Sequence, residues 1–258
     1  MTHALLSASG AERWMACTPS ARLEEQMPDS PSVYAEEGTL AHELAEAVNR
    51  YNFNDNTDKA KEKLNLKLAE IVSNPLFNAE MEEYIDGFAR YVQEKYNEAK
   101  AISNDAVIAF EERLDFSDYV PEGFGTGDVI IITDGKLTVI DLKYGKGVLV
   151  EAENNKQMML YALGALNAYD LFYGIESVNM VVYQPRRDNI SEWDVPTVEL
   201  LDWAKSELKE KADLAYDGAG DFVPGEYCRF CRAGATCRAR AEENINMDFH
   251  AELRTLIF

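Results

Sequence analysis

The sequence predicts an α/β protein of the α+β kind: a mainly helical first part, then a small mixed sheet flanked by helices, then a cysteine-bearing end. Three observations carry this expectation. Met81, Tyr84, Ile85, Phe88, Tyr91 and Val92 recur at helical spacing. Two largely apolar runs, 129–132 and 137–140, flank Asp134-Gly135, a strong signal for a two-residue hairpin. Cys228, Cys231 and Cys237 cluster in the last part of the chain, with Cys17 far upstream.

Taken in order, Ser9 and Glu12 have capping-box spacing and predict a short helix that carries Trp14 towards Cys17. Residues 19–32, rich in Pro and Ser, read as a polar loop. Helices follow over 35–51 and 59–71, with a polar break at 52–58, and then the helix containing Met81 to Val92. The pattern changes to strands at 107–116, 127–133 and 136–143, a helix at 153–169, a strand at 177–184 and a helix at 198–216. No repeat, low-complexity tract or clear linker interrupts this order. The expectation is one domain over 1–258: a helical part (1–105), an α/β core (106–220) and a cysteine tail (221–258).

Composition narrows the function classes. A hydrophobic content of 47% and a charged content of 28% are ordinary for a globular chain. No charged-then-apolar leader and no bilayer-length apolar run is visible, so a cytoplasmic protein without a membrane partner is expected. Lys plus Arg number 25 against 46 Asp plus Glu, a formal net charge of −21. Such a chain is repelled by nucleic acid at long range, which argues against a passive DNA coat. It leaves room for an enzyme with a local basic groove and a divalent metal.

The hairpin leads to chemistry. With Asp134-Gly135 as the turn, Thr133 faces Lys136, and counting five residues outward on each strand sets Asp128 opposite Asp141. Opposed side chains have Cβ atoms about 4.5–5.5 Å apart. Two carboxylates so close among apolar neighbours repel each other unless a cation lies between them, and Mg²⁺ or Mn²⁺ with oxygen ligands answers that need. Lys143, two residues beyond Asp141, lies on the same strand face and can approach a phosphate. A surface Asp–Asp–Lys cluster held by salt bridges is the bland alternative. The register and the apolar flanks of both aspartates favour the functional reading.

The order G-T-G-Asp128, hairpin, Asp141-L-Lys143 resembles the paired motif of the PD-(D/E)XK nucleases, whose restriction-endonuclease-like core is a small mixed sheet flanked by helices. Upstream, E37-G-T-L-A-H42 resembles the helix motif of the RecB-like branch, which implies that His42 joins the metal site. Downstream, Q157-M-M-L-Y161 resembles that branch's Q-x-x-x-Y motif, with Gln157 and Tyr161 one helical turn apart. Glu111 is positioned like the extra acidic residue of these enzymes, with Glu112 as its rival. The resemblance implies a catalytic set of Asp128, Asp141, Lys143, Glu111, Gln157 and Tyr161. It implies metal ligation by His42, Asp128, Asp141 and the Leu142 carbonyl.

The four cysteines, with no secretory signal, suit metal ligation better than disulfides. Zinc is the general expectation for the C-x2-C-x5-C run of Cys228, Cys231 and Cys237 plus Cys17. Their placement around a RecB-like core resembles instead the iron–sulfur version of these nucleases, in AddB-type helicase–nuclease subunits and CRISPR-adaptation exonucleases. That resemblance implies a 4Fe–4S cluster with a structural role, pinning distant parts of the chain together. Taken whole, the sequence predicts a Mg²⁺- or Mn²⁺-dependent deoxyribonuclease. An exonuclease on single-stranded or end-containing DNA is expected, working with phage or prophage replication or recombination proteins. The rival readings are a non-catalytic binding module on a nuclease fold and an acidic DNA mimic.

Overall fold

The computed structural model describes residues 4–28, 33–53 and 58–245. The chain runs through α1 (Ala11–Ala16), α2 (Ser20–Glu25), α3 (Val33–Phe53), α4 (Asp58–Val72) and α5 (Ala79–Ile102). Strands β1 (Val107–Asp115), β2 (Phe124–Thr133) and β3 (Lys136–Leu142) follow, then α6 (Lys156–Tyr173), β4 (Ser177–Gln184) and β5 (Asn189–Pro196). Helices α7 (Thr197–Trp203) and α8 (Lys209–Asp217) come last, joined by one wide π-helical turn, Ala204–Leu208. Residues group into two compact units: Pro31–Asp115 with Gly125–Leu201, and Met1–Ser30 with Phe116–Phe124 and Asp202–Phe258. Among the described residues no helix is long and apolar enough to cross a membrane.

The larger unit is a five-stranded mixed sheet in the order β1-β2-β3-β4-β5, with β2–β3 and β4–β5 antiparallel and β3–β4 parallel. This is the mixed α/β architecture expected. The hairpin register is the one counted from the sequence: Thr133 pairs with Lys136 and Val129 with Ile140. Gly135 takes a positive φ of 75° in the turn, which only glycine does without strain. Because side chains alternate along a strand, the apolar runs supply both faces. Val129, Ile131, Ile140, Leu142 and Val181 pack with Leu44 of α3 and Ile85, Phe88 and Val92 of α5. Asp128 and Asp141 fall in the other phase, on the side that α6 covers.

Helix α5 starts where Asn78 accepts a hydrogen bond from the Met81 N–H, and it buries Met81, Ile85, Phe88 and Val92 in one stripe. Helix α6 starts at Asn155, which caps Met158, and ends at Gly174 in the left-handed region. It begins three residues later than the expected 153 and runs past 169. At Gly164, a Cβ would stand 2.8 Å from the Leu114 Cβ, so the glycine lets α6 lie directly on β1.

Four expectations are corrected. The helix at the start is not capped by Ser9: a 3₁₀ turn, Ala8–Gly10, precedes α1 and makes Gly10 the cap, while Ser9 Oγ lies 3.4 Å from Ser7 Oγ. The expected loop at 19–32 contains α2, which buries Ala21 and Glu24, and its end at 29–32 lies outside the described residues. Strand β5 went unpredicted because its residues alternate between half-buried and exposed without an apolar run, as an edge strand's can. The expected helix over 198–216 is interrupted by the π-helical turn. The break expected at 52–58 lies largely outside the described residues, since α3 continues to Phe53 and 54–57 are not described.

Candidate metal centre

Helix α3 and strands β1 and β2 bring His42, Glu111 and Asp128 together, with one ligand atom from each within 4.8 Å of the others. His42 Nδ1 stands 3.1 Å from Asp128 Oδ1. The second Asp128 oxygen accepts from the Leu142 N–H at 2.7 Å, so the carboxylate stands in for a ladder carbonyl where the hairpin pairing ends. Leu142 thus meets the site through its amide nitrogen.

Glu111 holds a φ of 49°, a left-handed conformation that costs a non-glycine residue about 1–3 kcal/mol. The preceding carbonyl, Phe110 O, accepts a 2.6 Å hydrogen bond from Arg50 of α3. The strained residue turns Glu111 towards Asp128 and His42, whereas Glu112 interacts with Tyr169. Of the two glutamates, Glu111 is the one gathered with His42 and Asp128. Nothing in the local pattern of β1 announces Arg50, sixty residues upstream, as the group that holds this carbonyl.

Beside the triad lies a second constellation. Asp141 Oδ2 forms an ion pair with Lys143 Nζ at 2.9 Å, and Asp141 Oδ1 accepts from Gln157 Nε2 at 3.1 Å. Gln157 Oε1 accepts from Lys143 Nζ at 2.8 Å, and Gln157 Nε2 also donates to the Tyr161 hydroxyl at 3.0 Å. One amide therefore braces Asp141, Lys143 and Tyr161, because Gln157 and Tyr161 are one turn apart on α6. Asp141 belongs to this set rather than to the closest triad, at its edge.

The electrostatics follow from crowding carboxylates in a partly dry site. Burial, with the Asp128 charge adding to it against the pull of His42, raises Glu111 to about 7. Burial also raises Asp141, which Lys143 opposes. Asp128 is held below its usual range despite its burial, by the His42 charge and hydrogen bond and by the Leu142 N–H. Burial disfavours His42's charge, but Asp128 overrides it and lifts the imidazole to about 9. Three carboxylates, Glu111, Asp128 and Asp141, are crowded here with one imidazole and one ammonium, His42 and Lys143. A divalent cation with oxygen and imidazole ligands fits this donor set: His42, Glu111 and Asp128 converge, and the buried Asp141, ion-paired with Lys143, lies beside them.

In the smaller unit, Cys17, Cys228, Cys231 and Cys237 are free thiols lining one pocket with Arg13, Leu23 and Tyr227. Burial raises Cys17 and Cys231. The segment around them is tied to α1 and α2: Arg13 pairs with the buried Glu24 at 2.6 Å, and Glu24 accepts from the Arg232 N–H at 2.7 Å.

A family model described as "Protein of unknown function (DUF2800)" matches residues 3–256. The chain belongs to that family. Two solved structures are similar over most of their length. One is SSO0001, with 14% identity, a TM-score of 0.30, and coverage of 89% of this chain and 97% of that one. The other is a Eubacterium rectale protein described as "Putative exonuclease", with 11% identity, a TM-score of 0.43, and coverage of 88% and 86%. The family's matched span contains every residue of the metal triad, of the Asp141–Lys143–Gln157–Tyr161 constellation and of the cysteine pocket.

Proposed function

We propose that this chain is a Mg²⁺- or Mn²⁺-dependent DNA nuclease of the RecB-like PD-(D/E)XK kind, acting on single-stranded or end-containing DNA. The observation that carries the reading is the convergence of His42, Glu111 and Asp128 beside a lysine, Lys143, that is held by both Asp141 and Gln157. His42, Glu111 and Asp128 would hold the cation, with Asp141 at its edge. When bound, the cation supplies Lewis-acid activation of water and neutralises charge on the phosphate. Lys143 would donate to the attacking water or to a phosphate oxygen and balance charge as water bonds to phosphorus and the P–O bond to the leaving nucleotide breaks. Gln157 keeps the ammonium aimed, and Tyr161 keeps Gln157 from rotating. The hydroxyl stays protonated, because burial holds its pKa up and the nearby carboxylates add to this.

Four thiols converging on one pocket fit either tetrahedral zinc or a 4Fe–4S cluster. We favour the cluster, on the resemblance to iron–sulfur nucleases, with the role of crosslinking α1 to the residues around Cys228. Anaerobic purification decides it: a brown protein with about four irons per chain supports the cluster, and a colourless protein holding zinc refutes it.

The test of the hydrolytic reading is degradation of labelled DNA with Mg²⁺ or Mn²⁺, with and without EDTA. Activity should need the metal, and Asp141→Ala or Lys143→Ala should abolish it while far-UV circular dichroism stays unchanged. A folded, metal-loaded wild type that cuts no DNA would leave the non-catalytic binding module as the better reading.

A further inference from the structure

A second cationic site lies on the opposite face of the sheet end from Lys143. Arg186, just after β4, is largely buried, with 11% of its side chain exposed, and its guanidinium stacks over the Tyr144 ring at 4.7 Å. Its Nη1 meets Glu37 of α3 at 2.9 Å, whereas its Nη2 reaches Glu80 of α5 only at 3.7 Å. Lys146 Nζ approaches the same Glu80 at 3.4 Å, and the Tyr84 hydroxyl does so at 3.5 Å. Two buried donors, Arg186 Nε and the Tyr144 hydroxyl, have no acceptor among the described residues. Buried donors without partners are rare and mark a place where an acceptor is missing.

The two carboxylates are held differently. Glu37 is close and mostly buried, and it orients the guanidinium. Glu80 is half-exposed, and its contacts with both cations are long. It is the weaker partner, and an incoming anion can displace it at little cost. Two elements link this site to the metal centre: Tyr144 follows Lys143, and Glu37 precedes His42 by five residues on α3, a rise of about 7.5 Å with the two side chains roughly 140° apart around the helix.

We propose that Arg186 and Lys146, with the Tyr144 hydroxyl, form a subsite for a backbone phosphate of the bound DNA strand other than the one cut, and that Glu80 occupies it until the strand displaces it. The proposal rests on the nuclease reading for its substrate, and it gives this acidic protein a way to hold DNA. Glu80 is a built-in competitor: strands too short to reach Arg186 leave it in place.

The test is fluorescence anisotropy with a short labelled oligothymidylate, titrated at several salt concentrations in the Asp141→Asn background, which keeps the strand whole. Glu80→Gln should tighten binding about 3- to 10-fold. Lys146→Ala should weaken it by a similar factor and flatten the logarithmic salt slope by roughly 0.7. Arg186→Gln should weaken binding about 10-fold, and in that background Glu80→Gln should no longer tighten it. Should Arg186→Gln fail to fold, Glu80→Gln and Lys146→Ala, both at half-exposed positions, decide alone. An unchanged dissociation constant in both, or no measurable binding by any variant, overturns the subsite. A separate cleavage assay on the wild type keeps the two ideas apart. If it does not cut while the binding pattern holds, hydrolysis falls and the subsite stands. If it cuts while Glu80→Gln changes nothing, the subsite falls alone.

Discussion

Glu111→Gln separates what the site needs for function from what the fold needs for stability. In the metal-free protein, burial and the Asp128 charge raise Glu111 from 4.5 to about 7. A carboxyl whose folded pKa is raised contributes its full stability below the unfolded value and loses it as pH rises through the folded one. At pH 8 the wild type therefore carries a penalty that the neutral glutamine does not. At roughly 1.4 kcal/mol per pH unit the ceiling is about 3 kcal/mol. Partial exposure and sharing of charge with His42 and Asp128 reduce it to about 1–2 kcal/mol. Urea unfolding in EDTA should show the variant more stable than the wild type at pH 8, with the difference vanishing near pH 4.5. The same variant should bind Mn²⁺ at least about 10-fold more weakly, since a neutral amide replaces one of three converging ligands. A variant no more stable at pH 8, or one that binds Mn²⁺ like the wild type, would refute the account of a carboxylate kept in strain for a cation.

Mn²⁺ affinity should rise between pH 7 and pH 9, by up to about 10-fold per unit, because His42, held protonated up to about 9, must lose its proton to ligate. Electron paramagnetic resonance titrations should show this, and a pH-independent affinity would contradict it. His42's own stabilisation of the metal-free fold has the opposite sense: complete below 6.5 and fading as pH rises through about 9. Tyr161→Phe should cut the rate less than about 10-fold, since Gln157 keeps Asp141 and Lys143, whereas Gln157→Ala should cost more, about 10²-fold. Gly164→Ala should destabilise the larger unit by up to about 2 kcal/mol: a Cβ 2.8 Å from Leu114 costs about 1–3 kcal/mol, against about 1 kcal/mol of helix propensity gained. A chemical-denaturation midpoint at or above the wild type's would show that β1 yields easily.

The parts of the site legible in the sequence are those set by local geometry. Asp134-Gly135 fixes a two-residue turn, and strand periodicity then sets the register that brings Asp128 and Asp141 to one face. Helical periodicity puts Gln157 and Tyr161 on one side of α6. Helix α2 and the edge strand β5 were hidden for a shared reason: neither has a continuous apolar stripe, and each depends on the element it packs with, α8 for α2 and β4 for β5.

By itself the sequence determined the helices-then-sheet order, the hairpin register, and the residue types able to hold a divalent cation, because turn chemistry and side-chain periodicity act over a few residues. Only the tertiary structure decided which carboxylate faces which. It turned Glu111 rather than Glu112 inward through a strained backbone held by Arg50, and it tied Asp141 to Lys143 and Gln157 while His42 and Glu111 gathered on Asp128. It also set Arg186 between Glu37 and Glu80, three residues from three separate parts of the chain. The physical reason is the range of the forces. Propensity and register are local, whereas burial, charge crowding and the placement of an unpaired donor exist only once distant segments have packed.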